Sequence, residues 1–178
     1  MTSEERNERL KILRRQDDRK SRLPILLLSL TKMTNKSFLE SDVLTLDQID
    51  EHQKAINSSD FSFNYLNQSF PKDRIKDLKM LLLALDKQLS QENYLSVSNY
   101  SDIAILKMNT DFVINHFDEL IHLDNDTFRI YDRTYQNGLW IDVFQEYWYL
   151  DDQAQFIWIY ELRVFGKEWI KQLVENIK

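Results

Sequence analysis

The sequence predicts an α+β fold: a helical N-terminal half packed on a C-terminal antiparallel sheet of three to four strands, with a closing C-terminal helix. Three observations predict it. Capping signals and apolar stripes at three- and four-residue spacing mark residues 1–92. Period-two alternation between turn signals marks residues 128–165. Only two Gly and two Pro occur in 178 residues, too few for a loop-built fold. The length suits a single domain, 1–178, with a mainly helical part at 1–92 and an α+β part at 93–178.

Charged residues at 29% and hydrophobic residues at 43% are ordinary for a folded chain. The absence of Cys excludes disulfides, zinc–thiolate sites and thiol nucleophiles, and fits a reducing cytoplasm. The scarcity of Gly argues against a phosphate cradle. No apolar signal core follows the charged N-terminus, and the longest apolar run, 23–30, is interrupted by Pro24 and Ser29. A cytoplasmic protein with no membrane segment is the expectation. Net charge is −6, unevenly placed. Residues 1–22 carry eight Arg/Lys against five Asp/Glu, whereas residues from Asn93 onward carry seven against fourteen. The acidic C-terminal half repels phosphate backbones and suits a basic partner.

In chain order, Thr2 to Glu5 reads as a capping box opening a helix over 3–20. Its Lys11, Arg15, Arg19 and Arg22 share one face, either a patch for nucleic acid or an acidic partner, or a solvated surface balanced by neighbouring carboxylates. Pro24 starts a second, buried helix through 30–33. Thr45 to Gln48 repeats the capping box and opens a helix ending near Ile56. Phe61, Phe63 and Tyr65 alternate with polar residues, as a short strand or an aromatic clip. Pro71 precedes the strongest helix, 72–91, with Ile75, Leu78, Leu82, Leu85 and Leu89 on its stripe. A short strand at 103–108 and a helix over 111–122 follow. The closing helix, 167–177, turns Trp169, Ile170, Leu173 and Val174 inward.

Residues 128–165 form a three-stranded meander whose register the side chains test. Asn137-Gly138 reads as a two-residue hairpin needing positive φ at both positions. That turn pairs Phe128 with Tyr147, Ile130 with Gln145 and Asp132 with Val143 on one face. On the other it pairs Tyr135 with Trp140, Arg133 with Asp142, Tyr131 with Phe144 and Arg129 with Glu146. A four-residue loop at 151–154 then pairs Tyr147 with Trp158, Val143 with Leu162, Asp142 with Arg163 and Trp140 with Phe165. Both hairpins choose the same two faces. One, with Phe128, Ile130, Ile141, Val143, Tyr147, Tyr149, Trp158, Leu162 and Val164, packs on helices. The other mixes Tyr131, Tyr135, Trp140, Phe144 and Trp148 with charge, as a protein-binding surface does. Alternatively the N-terminal helices cover it and its ion pairs sit at the rim.

Chemistry-bearing motifs are absent. His52, His116 and His122 lack metal-ligand spacing, and Asp124-x-Asp126 lacks the glycine and the later Glu of a calcium loop. No serine stands in a nucleophile elbow. No cofactor, no metal and no catalytic residue are expected.

The last eighty residues present IAILKM at 103–108, a helix over 112–123, TFRIYD at 127–132, NGLWID at 137–142 and YELRVFGKEW at 160–169. In texture and element order these resemble the small acidic immunity proteins encoded beside bacterial polymorphic and contact-dependent toxins. The resemblance implies a non-catalytic inhibitor that binds a cognate toxin, often a basic nuclease. The basic N-terminal helix departs from that pattern. The leading expectation is an immunity protein meeting a basic partner through Asp142, Glu146, Trp148, Asp151, Asp152 and Glu161. The alternative is a nucleic-acid-associated regulator using Lys11, Arg14, Arg15, Arg19 and Arg22.

Overall fold

The computed structural model describes residues 2–59, 65–85, 91–109, 111–123, 127–150 and 153–176. Its architecture is α+β. Helices α1 (Ser3–Thr34) and α2 (Leu46–Ser58) lead to strand β1 (Tyr65–Pro71), helix α3 (Ile75–Leu83), and strands β2 (Glu92–Val97) and β3 (Ile105–Asn109). Short helices α4 (Asp111–Asn115) and α5 (Phe117–His122) precede β4 (Thr127–Tyr131), β5 (Gly138–Leu150), β6 (Gln153–Phe165) and α6 (Lys167–Asn176). Among the described residues the sheet has six strands rather than three or four, in the order β1-β6-β5-β4-β2-β3, every pair antiparallel. The predicted meander is its centre. The additions are β1, which begins at Tyr65 where a short strand is one of two sequence-level alternatives and whose Tyr65, Asn67, Gln68 and Ser69 are exposed as befits an edge strand, and the unforeseen β2, whose Leu95 and Val97 are buried.

Helix α1 is continuous over 32 residues, not two helices meeting at Pro24. Its N-cap is the predicted box, with Thr2 Oγ1 accepting from the Glu5 N–H at 3.2 Å and Glu5 Oε2 from the Thr2 N–H at 2.7 Å. An interior proline costs a helix about 3 kcal/mol. Leu23, Leu26 and Leu30, all buried around it, offset that at roughly 2 kcal/mol each. Helix α2 carries the second predicted capping box, Thr45 with Gln48. Helix α3 begins after a 3-10 turn at Lys72–Arg74 and ends at Leu83; residues 86–90 of the predicted helix lie outside the described ones, as do Phe61 and Phe63. The helix predicted over 111–122 is two, broken at His116 (φ −118°, ψ 25°).

Both hairpin registers differ from expectation by even numbers, so partners change while faces persist. β4 pairs Phe128 with Ile141, Arg129 with Trp140 and Tyr131 with Gly138, which makes the connection six residues long, 132–137. Asp132 organises it: its carboxylate accepts from the Thr134 N–H at 3.0 Å, the Gln136 N–H at 3.1 Å and Asn137 Nδ2 at 2.7 Å. Positive φ falls on Tyr135 (58°), not on Asn137 or Gly138. Gly138 is required for another reason: a Cβ there would meet the Phe165 ring and stand 2.6 Å from the Ile130 carbonyl oxygen. β5 and β6 pair Asp142 with Glu161, Trp140 with Arg163 and Leu150 with Gln153. The predicted pairs Arg133–Asp142, Arg129–Glu146 and Asp142–Arg163 therefore do not form.

One face of the sheet buries Phe128, Ile130, Leu139, Ile141, Val143, Leu162 and Val164 under α3, α4, α5, α6 and the C-terminal half of α1. Trp169 and Leu173 seal its end from α6, while Val174, assigned inward from sequence, is 46% exposed.

Candidate protein-interaction surface

Strands β5 and β6 each run 13 residues, far longer than their neighbours. β4 covers β5 only as far as Asp142, and β1 covers β6 only from Ile159 to Phe165. Beyond both limits, 145–150 and 153–158 pair with each other alone among the described residues, a two-stranded ribbon running roughly 20 Å past the sheet. Along it and at its root, Tyr147 is 59% exposed, Phe156 58%, Phe144 38% and Trp158 38%. Tyr147 and Phe156 lie opposite each other with ring centroids 3.8 Å apart. Tyr147 and Trp158, assigned to the packed face from sequence, fall on that face at a level where they reach solvent. The signal that locates them is strand length, since alternation over 139–165 outruns any partner that 127–131 supplies. Where Phe156, Ile157 and Trp158 pass the turn at 71–74, they line a groove of about 540 Å³ with Pro71, Lys72, Asp73 and Arg74.

The sequence-assigned contact residues divide between the ribbon and its root. Asp142 is half-buried and accepts from Thr127 Oγ1 at 2.8 Å. Glu161, directly across from it, is tied to Asn67 Nδ2 at 2.9 Å and ion-paired with Arg163. Both carboxylates belong to the sheet's own side-chain network. Glu146 is exposed on the ribbon opposite Ile157, and Trp148 lies in β5 opposite Gln155. Asp151 and Asp152, which separate the two strands, lie outside the described residues. From Thr134 to Leu162 the chain carries these five carboxylates and no Lys or Arg.

The second sheet face is covered at one end and open at the other. Helix α2 lies over β2, β3 and β4, where Ile49 packs with Leu44 and Ile105. Its His52, 1% exposed, stands edge-on to Tyr94, Tyr131 and Tyr135 at centroid distances of 5.5, 5.3 and 5.0 Å. His52 Nδ1 is 3.0 Å from the Tyr135 hydroxyl. Burial drives the His52 pKa down to about 4, so the ring is neutral at neutral pH. Burial likewise raises the Tyr135 pKa, reinforced by Tyr94 and Glu51. Further along, the Arg129 guanidinium sits over the Trp140 ring, 5.0 Å from its centroid, and Phe165 meets that ring edge-on at 5.7 Å. A cation–aromatic contact thus replaces the predicted Arg129–Glu146 pair. Arg133, in the connecting loop, reaches Glu92 at 3.7 Å.

Three basic residues of α1, Arg15, Arg19 and Arg22, turn toward the protein. Arg19 donates to the carbonyls of Leu44 at 2.8 Å and Ile103 at 2.7 Å. Arg15 pairs with Asp50 and donates to the Asp102 carbonyl at 2.6 Å, while Arg22 donates to the Asn99 carbonyl and lies over the Tyr100 ring. Lys11 pairs with Glu8 at 3.5 Å, and Arg14 is exposed. The sequence-level face of Lys11, Arg15, Arg19 and Arg22 is therefore largely a clamp on loop carbonyls.

Among the described residues, no three His, Cys, Asp or Glu side chains group so as to hold a metal ion, and no helix is long and apolar enough to cross a membrane. Comparison with models of protein families, with curated proteins and with solved structures found no match.

Proposed function

We propose that this chain is a non-catalytic protein-binding inhibitor whose contact surface is the β5–β6 ribbon and whose target is a basic protein, in the manner of an immunity protein that neutralises a bacterial toxin such as a nuclease. The observation that carries this reading is the ribbon itself. Tyr147, Phe156, Phe144 and Trp158 stand exposed on a strand pair drawn from a stretch without Lys or Arg. Large rigid aromatics supply the anchors of protein interfaces, and carboxylates around them steer a basic partner during approach. Asp142 and Glu161 sit at the ribbon's root, where they set the local charge while holding the sheet face together. Glu146, Asp151 and Asp152 carry the steering, and the aromatics carry the residence time. The immunity-protein resemblance of the C-terminal half supports the same class.

The test uses the product of the adjacent gene as partner. Phe156→Ala and Tyr147→Ala are each expected to raise the dissociation rate by about tenfold or more, as interface aromatics do when truncated. Glu146→Lys, alone or with Asp151→Lys and Asp152→Lys, is expected to slow association at low salt and flatten its ionic-strength dependence. An interaction unaffected by both sets would overturn the assignment of this surface.

A further inference from the structure

We propose that the outward face of α1 is a self-association surface, on which a second copy of this chain lays its own α1 antiparallel. The surface is independent of the ribbon. Leu10, Leu13, Asp17, Lys20, Pro24 and Leu27 follow one another at alternating steps of three and four residues, the spacing of a stripe that meets a partner helix. That stripe is turned away from Arg15, Arg22 and Leu26, through which α1 holds its own body. It is open along its length: Leu10, Leu13, Asp17, Lys20 and Pro24 are exposed, and Leu27 is half-buried. Leu28, beside Pro24 and Leu27, is exposed as well and widens the apolar end.

The order of residues along the stripe identifies the occupant. From either end it runs apolar, apolar, charged, charged, apolar, apolar, with the sign of the charges reversed. A two-fold axis between Asp18 and Arg19 sets Asp17 against Lys20 of the second copy and Lys20 against its Asp17. The same axis sets Leu13 against Pro24 and Leu10 against Leu27 on both sides. Each position thus meets chemistry it pairs with, the condition for an isologous interface between identical chains. A parallel pair would place Asp17 on Asp17 and Lys20 on Lys20, so the charges fix the direction. Among the described residues neither side chain holds an ion pair within its own chain, which leaves both free for the second copy. Because the stripe lies opposite the side on which α1 holds its body, the two bodies fall on opposite sides of the helix pair. The overlap from Leu10 to Leu27 is roughly 25 Å long. A contact of that length belongs with transient interfaces of up to about 1,200 Å².

Sedimentation equilibrium of the full chain, from about 10 μM to about 1 mM, reads the association. A monomer–dimer equilibrium is expected, with a dissociation constant of about 100 μM or tighter. Leu13→Glu is expected to weaken it by about tenfold or more, by placing a carboxylate in the apolar layer. Asp17→Lys and Lys20→Asp should each weaken the homodimer by about tenfold, because each sets like charges against each other twice. An equimolar mixture of those two variants restores both opposite-charge pairs and is expected to return within about threefold of the parent affinity. All three positions are exposed, so helical circular dichroism and the urea midpoint should stay close to those of the parent. A chain that remains monomeric at about 1 mM overturns the proposal. So does a dimer indifferent to Leu13→Glu, including one that Phe156→Ala abolishes, since association would then belong to the ribbon. A mixture that binds no tighter than the separate variants overturns the antiparallel pairing.

Discussion

At the scale of single residues, Gly138 and His52 each have a role that their sequence context misstates or conceals. Gly138 looks like a turn glycine after Asn137, yet its φ is not positive; the residue is needed because the Phe165 ring and the Ile130 carbonyl close over it. Gly138→Ala is therefore expected to destabilise the protein by about 2 kcal/mol through overpacking, read as a fall in the urea midpoint. Adding Phe165→Ala should recover part of that loss, a coupling that a turn-strain origin would not give. His52 is neutral when folded because burial lowers its pKa from 6.5 to about 4. Between those values the unfolded chain binds a proton that the folded chain does not, so stability is full above the unfolded pKa and is lost as pH falls through this window. Between pH 7 and pH 5 this residue is expected to remove about 2 kcal/mol. The rings packed against it are Tyr94, Tyr131 and Tyr135, so the difference in slope between the parent and His52→Gln in denaturant titrations reports the imidazole.

At the scale of elements, α1 shows how a charged helix is fixed to a body it barely buries. Only Leu23, Leu26 and Leu30 are buried along its 32 residues, and the preceding turns are held by Arg15, Arg19 and Arg22 on loop carbonyls. Arg19 has its pKa lowered by burial, against the pull of Glu40, and its loss would strand the Leu44 and Ile103 carbonyls. Arg19→Ala is expected to cost about 3 kcal/mol in denaturant unfolding, while the exposed Arg14→Ala should stay within about 0.5 kcal/mol. Local signals made most elements legible. Both capping boxes form as read, because side chain and backbone groups three residues apart meet whatever the rest of the chain does. The break expected at Pro24 does not occur, because apolar burial on the adjacent turns outweighs one missing hydrogen bond. β2 escaped notice because its pairing with β3 and β4 is long-range and its own alternation is short.

At the scale of the whole molecule, the sheet formed by the described residues is six strands wide at its root and two strands wide at its tip. A two-stranded ribbon in water is marginal by itself, whereas paired and helix-covered strands open only with the protein. Amides of 145–150 and 153–158 are expected to exchange at least about a hundredfold faster than those of 127–131, measured by hydrogen exchange. Equal protection would mean that something covers the ribbon in solution. A bound partner should slow exchange along the ribbon and leave the α2 end unchanged.

The sequence by itself determined the α+β class, the capped helix starts, and which residues of 128–165 share a face. These follow from periods of 3.6 and 2 and from contacts within a few residues. Tertiary structure alone decided which partners those faces meet. An even register shift preserves every face while replacing every pair, so charge pairing across a hairpin did not discriminate among registers two residues apart. It also decided where the sheet ends, because strand length reads locally but the coverage of β5 and β6 depends on β4 and β1. For that reason Tyr147 and Trp158, which alternation places on the core face, reach solvent.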